Sequence, residues 1–127
     1  MRYNTILLID DDRDDRDFFA DALKRISVET TLIAMEDAAV ALQRCETREI
    51  IPDVIVLDLN MPGMKGEEFL IQIKKNNQLK DIPVFILTTS SLLSTIETMK
   101  SLGAAEFYTK PNALIDLVGI LKKVFEG

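Results

Sequence analysis

Residues 53–57 read DVIVL, an unbroken apolar run closed by a second acid, Asp58. Its length and β-branched content suit a strand. The lack of polar alternation suits a strand buried on both faces, as in a parallel sheet covered by helices on each side. Two further stretches read alike, TILLI at Thr5–Ile9 and PVFIL at Pro83–Leu87. Two more polar runs, TTLIA at Thr30–Ala34 and AEFY at Ala105–Tyr108, read as edge strands.

Helical spacing fills the intervals. Phe18, Phe19, Ala22, Leu23 and Ile26 lie along one face of a first helix, and Ala38, Val40, Ala41 and Cys45 mark a second that starts near Asp37. Phe69, Leu70 and Ile73 mark a third; Leu92, Leu93, Ile96, Met99 and Leu102 a fourth; Leu114, Leu117, Val118, Leu121 and Phe125 a fifth. Three- and four-residue repeats of this kind place apolar side chains on one stripe, which we assign to the core. Strict βα alternation implies parallel strands, right-handed crossovers and helices on both faces. With the three fully apolar strands central, the strand order is 2-1-3-4-5, an α/β flavodoxin-like doubly wound (βα)5 sheet. No repeat, low-complexity tract or linker interrupts residues 1–127, so the expectation is a single domain with no output domain, whose signal would be read from its surface.

Composition removes several function classes. Net charge is −6, with 21 acidic against 15 basic residues and no basic cluster, which argues against nucleic acid as a partner. Lys74–Lys75 reads as a solvated helix face. No apolar run reaches the ~20 residues of a membrane span, and the acidic N-terminal region is unlike a secretory signal, so the chain reads as cytoplasmic. There is no histidine, which excludes histidine-based nucleophile systems and histidine-ligated zinc. The single cysteine, Cys45, excludes an internal disulfide and reads as a packed thiol. Metal chemistry would therefore use oxygen ligands and favour Mg²⁺ or Ca²⁺.

Ligands of open α/β sheets bind beyond the carboxyl ends of the strands, where strand order reverses. The first strand runs into Asp10, Asp11 and Asp12, the third into Asp58; the fourth ends at Thr88, and the fifth leads to Lys110 and Pro111. Packed carboxylates repel one another, and a hard divalent cation relieves that repulsion. A carboxylate beside the cation can attack phosphorus and form an aspartyl-phosphate, with a lysine ammonium stabilising charge on the phosphoryl oxygens and the Thr88 hydroxyl bonding the product. Asp14 and Asp15 read as the acidic first turn of the helix. Thr89, Ser90 and Ser91 are expected to supply a helix cap, and Asn60, Pro62, Gly63 and Gly66 supply turn chemistry.

The motifs LLIDDD, VIVLDLNMPGMKGEEFL, FILTTS and FYTKP, in this order and spacing, resemble the receiver domain of two-component response regulators across essentially the whole chain. The resemblance implies that Asp58 is the phosphoacceptor. It implies Mg²⁺ held by Asp11, Asp10 (through metal-bound water), Asp58 and the backbone carbonyl of Asn60. Lys110 would pair with the phosphate, Thr88 would be the switch hydroxyl, Phe107 stands at the aromatic switch position, and Lys110–Pro111 would be a cis bond. Asn112 and Phe107 depart from the commoner phenylalanine and tyrosine. The DDRDD and LTTSS variants are similar to single-domain receivers paired with phytochrome-type kinases.

The partners so implied are a sensor histidine kinase or histidine phosphotransfer protein as external donor, since the chain has no histidine, and a downstream protein target. Pairing through the last helices, giving a homodimer, stays open. On this reading the protein is not a turnover enzyme; it would catalyse only its own phosphorylation and dephosphorylation. Two alternatives fit less well. A phosphohydrolase with an aspartyl-phosphate intermediate often uses an acid two residues after the nucleophile, where this chain has Asn60. A flavin-binding module on the same topology would need a phosphate-cradling loop where DDDRDD stands.

Overall fold

The computed structural model describes residues 3–27, 29–90 and 92–126. Its strands are β1 (Thr5–Ile9), β2 (Thr31–Met35), β3 (Val54–Leu57), β4 (Val84–Thr88) and β5 (Glu106–Thr109). They alternate with helices α1 (Arg13–Lys24), α2 (Ala38–Glu46), α3 (Gly66–Lys75), α4 (Leu93–Ser101) and α5 (Leu114–Glu126). The strands form one parallel sheet in the order β2-β1-β3-β4-β5, with the apolar strands central.

Strand ends differ by a residue from the sequence reading, for local reasons. Asp53 precedes β3 because its carboxylate accepts the backbone N–H groups of Asn4 and Thr5, each at 2.8 Å, tying the entry of β3 to that of β1. Pro83 has no N–H to give the ladder, so β4 begins at Val84, while the Pro83 carbonyl accepts from Ile55 N–H at 3.0 Å.

Alternation along the strands feeds two cores. Leu7, Ile9, Ile55, Leu57 and Ile86 pack with buried residues of α2 and α3 and with Met99 of α4. Ile6, Leu8, Val54, Val56 and Leu87 pack with Phe19, Ala22 and Leu23 of α1 and Leu117, Leu121 and Phe125 of α5. Cys45 lies fully buried in the first of these cores, as expected of a packed thiol. No helix among the described residues is long and apolar enough to cross a membrane.

The acids at the helix starts act as caps: Asp12 accepts from Asp15 N–H at 3.1 Å and Asp37 from Val40 N–H at 3.1 Å. Four expectations need correction. The α4 stripe is not core throughout: Leu92 and Leu93 are exposed and only Met99 of the helix is buried, because α4 lies against the edge strand β5 and covers little of the sheet. The N-cap of α4 is Leu92, with no side-chain cap bond, so Thr89 and Ser90 do not cap it, and Ser91 lies outside the described residues. Lys74 does not stand in a solvated face: its ammonium donates to the carbonyls of Lys80 and Ile82 at 3.0 and 3.2 Å, and burial lowers its pKa. The Lys110–Pro111 bond is trans, as is every described peptide bond, which is the intrinsic preference even before proline.

Candidate phosphoryl and metal site

Register brings the acids together. Ile9 pairs with Leu57, so the residues that follow, Asp10 and Asp58, leave the sheet side by side at its carboxyl edge. Backbone bonds fix both: Asp58 N–H donates to Ile9 O and Asp10 N–H to Met35 O, each at 3.0 Å. β4 pairs with β5 through Thr88 and Thr109, and Lys110 N–H donates to Thr88 O at 2.8 Å, which carries Lys110 to the same edge.

The side chains then close a connected network. Asp10 and Asp58 are 3% and 4% exposed and Thr88 is fully buried. Buried acids on this scale persist only with partners. Thr88 Oγ1 donates to Asp58 Oδ1 at 2.8 Å, and Asn60 N–H donates to the same oxygen at 3.3 Å. The Asn60 side-chain amide donates to Thr88 Oγ1 and Thr89 Oγ1 at 3.3 and 3.2 Å. Asp12 N–H donates to Asp10 Oδ1 at 3.0 Å. Lys110 Nζ contacts three carboxylates, Asp15 at 2.7 Å, Asp10 at 2.8 Å and Asp58 at 3.3 Å. No buried polar side-chain atom among the described residues lacks a partner.

Electrostatics follow from this packing. Burial pushes the Asp10 carboxyl above its ordinary range, against the pull of the Lys110 hydrogen bond. Burial by itself would lower the Lys110 ammonium, but its hydrogen bonds to Asp10 and Asp15 and the charges of Asp10 and Asp58 outweigh that and raise it. The lysine is therefore a fixed cation.

Asp10, Asp11 and Asp58 each offer a carboxylate oxygen, all within 4.8 Å of one another, with Asp11 exposed. An all-oxygen set this close suits a hard divalent cation. The depression beside it is lined by Asp11, Asp58, Asn60, Thr89 and Lys110. Chemically, it offers a nucleophilic carboxylate, two donors beside it and an opening to solvent.

Residues 6–122 match the response regulator receiver domain. The chain belongs to this family. Response regulator Rcp1 of Synechocystis sp. is 32% identical over 124 residues, covering 94% of this chain and 84% of Rcp1. The crystal structure of the Mn²⁺-bound form of Rcp1 superposes with a TM-score of 0.86, covering 97% of this chain and 95% of that one. That of the phosphorylated cyanobacterial phytochrome response regulator RcpA, 31% identical, also gives 0.86, covering 98% and 92%. The receiver fold and the two-component family read from the sequence are thus borne out, as is the likeness to phytochrome-linked regulators.

The receiver's edge gathers Asp10, Asp11, Asp58, Asn60, Thr88 and Lys110, as the sequence reading anticipated. Phe107 stands apart: it is half-buried and packs against the core that contains Met99. The residue that the reading missed is Asp15, taken there for a helix-start acid only. A signal was present. Asp15 lies four residues before Phe19 and seven before Ala22, on the stripe of α1 that turns inward.

Proposed function

We propose that this receiver accepts a phosphoryl group on Asp58 from a histidine kinase or a histidine phosphotransfer protein in the cytoplasm. The observation that carries the reading is the setting of Asp58: a buried carboxylate bonded by Thr88 and Lys110 and beside two further acids. The carboxylate oxygen of Asp58 attacks phosphorus as the phosphorus–nitrogen bond of the donor's phosphohistidine breaks. The imidazole nitrogen leaves with the electron pair, and an acyl phosphate remains on Asp58. Lys110 meets the charge on the phosphoryl oxygens, and Thr88, already oriented toward Asp58, donates to the product.

Asp10, Asp11, Asp58 and the carbonyl of Asn60 would hold Mg²⁺, which supplies charge neutralisation to the acids and the phosphoryl group. The inward pull on Thr88 biases a two-state surface formed by α4, β5 and α5, with Phe107 repacking between the states. A downstream protein reads that surface. Asn60 has no proton to transfer as an acid, which counts against phosphohydrolase turnover; the receiver catalyses only its own phosphorylation and dephosphorylation.

The test is the intact mass after incubation with acetyl phosphate and Mg²⁺, with EDTA and Asp58→Asn controls. One phosphoryl adduct, seen only on the unaltered protein with metal, is expected. An adduct that persists in Asp58→Asn would move the acceptor elsewhere.

A further inference from the structure

Lys110 touches three carboxylates, and the contacts are unequal. An ammonium has three N–H donors, so Asp15, Asp10 and Asp58 together saturate it. Its shortest contact is with Asp15, at 2.7 Å, and its longest is with Asp58, at 3.3 Å, the group that it would serve. The cation is thus drawn toward α1.

We propose that Asp15 is a positioning residue that tethers Lys110 in the resting receiver and competes with the incoming phosphoryl oxygens for it, so that it brakes transfer to Asp58. This rests on the reading of Asp58 as the acceptor.

For Lys110 to bond a phosphoryl oxygen with a free donor, a carboxylate must let go. Asp10 is poorly placed to do so: its side chain is 4% exposed and its other oxygen is held by Asp12 N–H. The Asp15 side chain is 41% exposed, so water can replace the lost contact at small cost. Nor does α1 require this acid. Asp12 already caps the helix and Asp14 already supplies a first-turn charge. The position of Asp15, on the stripe of Phe19 and Ala22, carries its carboxylate across to Lys110, 95 residues away in sequence.

The test compares transfer from acetyl phosphate at saturating Mg²⁺ in Asp15→Asn, Asp15→Glu and Asp14→Asn. Asp15→Asn should react about two- to fivefold faster, the fold-change equivalent of one partly exposed ion pair, chiefly in the maximal rate rather than in half-saturation. Asp15→Glu should restore the slow rate. Asp14→Asn, which removes an equal charge nearby, should leave the rate unchanged. Independently of transfer, the urea midpoints of Asp15→Asn, Lys110→Ala and the double variant, measured without metal, should be non-additive. Asp15→Ser replaces Asp15→Asn if the amide disturbs the helix start. A rate at or below that of the unaltered protein, an equal acceleration in Asp14→Asn, or additive midpoints would overturn the tether. If the unaltered protein takes no phosphoryl group at all, the reading of Asp58 fails, and the midpoints alone decide whether Asp15 holds Lys110.

Discussion

The Thr88 hydroxyl donates to Asp58 Oδ1 across 2.8 Å, between two buried side chains at the ends of neighbouring strands. Thr88→Val keeps the shape and removes the donor. A buried carboxylate that loses a partner costs about 1–3 kcal/mol, so the urea-derived stability should fall by that amount, while Thr88→Ser should recover most of it. Equal stability of Thr88→Val and the unaltered protein would show that Lys110 and Asn60 N–H satisfy Asp58 by themselves.

Gly66 opens α3 directly against the site. A Cβ there would lie 2.6 Å from the Asp58 carbonyl oxygen and 2.8 Å from Leu59 Cδ2. The obstacle is backbone, which cannot rotate aside as a side-chain end can. Gly66→Ala should therefore cost about 1–3 kcal/mol and also slow phosphoryl transfer, because relief of the clash displaces residue 58. Gly63→Ala is the contrast. Gly63 has a φ of 74° but nothing within 4 Å of the added carbon, so only left-handed strain of about 1 kcal/mol is expected, with transfer unaffected.

Cys45 gives a pH dependence remote from the site. Burial pushes its thiol up from 9.0 to about 11. The folded state thus prefers the protonated form. Its stabilising contribution is complete below pH 9.0 and is lost as pH rises toward about 11. Over that interval the unaltered protein should lose on the order of 2 kcal/mol more stability than Cys45→Ala does. Burial also raises Tyr108, but that residue is common to both proteins and cancels in the difference. Parallel stability–pH curves would show that water reaches the thiol. Because the thiolate is the reactive form, thiol reagents should modify Cys45 only on unfolding.

Much of this was legible in the sequence because two periodicities carry different information. Uninterrupted DVIVL, TILLI and PVFIL suit central strands, and the order that makes them central brings Asp10, Asp58, Thr88 and Lys110 to one edge. The helical stripe of α4 was less informative. Periodicity identifies the helix and its apolar face, but not whether a neighbour covers that face, and Leu92 and Leu93 stay exposed. Lys74 and Asp15 share one cause of misreading. Each is charged and reaches groups on another part of the chain, the carbonyls after α3 for one and Lys110 for the other. Composition alone assigns such residues to solvent. Thr89 follows the same rule: its hydroxyl accepts from Asn60 rather than capping the nearby helix.

The contact between Asp15 and Lys110 spans 95 residues, from the first helix to the loop after the last strand. The same loop brings Lys110 to Asp10 and Asp58. During synthesis the acids therefore emerge long before the cation that balances them. Closure of that long loop is among the later contacts open to the nascent chain. Until β5 docks, three acids share one edge without their ammonium. A chain shortened before residue 106 would keep the first four strands of the sheet and the whole of its acidic rim, but would lack the ammonium of Lys110. On the proposed reading of Asp58 as acceptor, phosphoryl transfer there must wait until synthesis has passed Lys110 and β5 has docked.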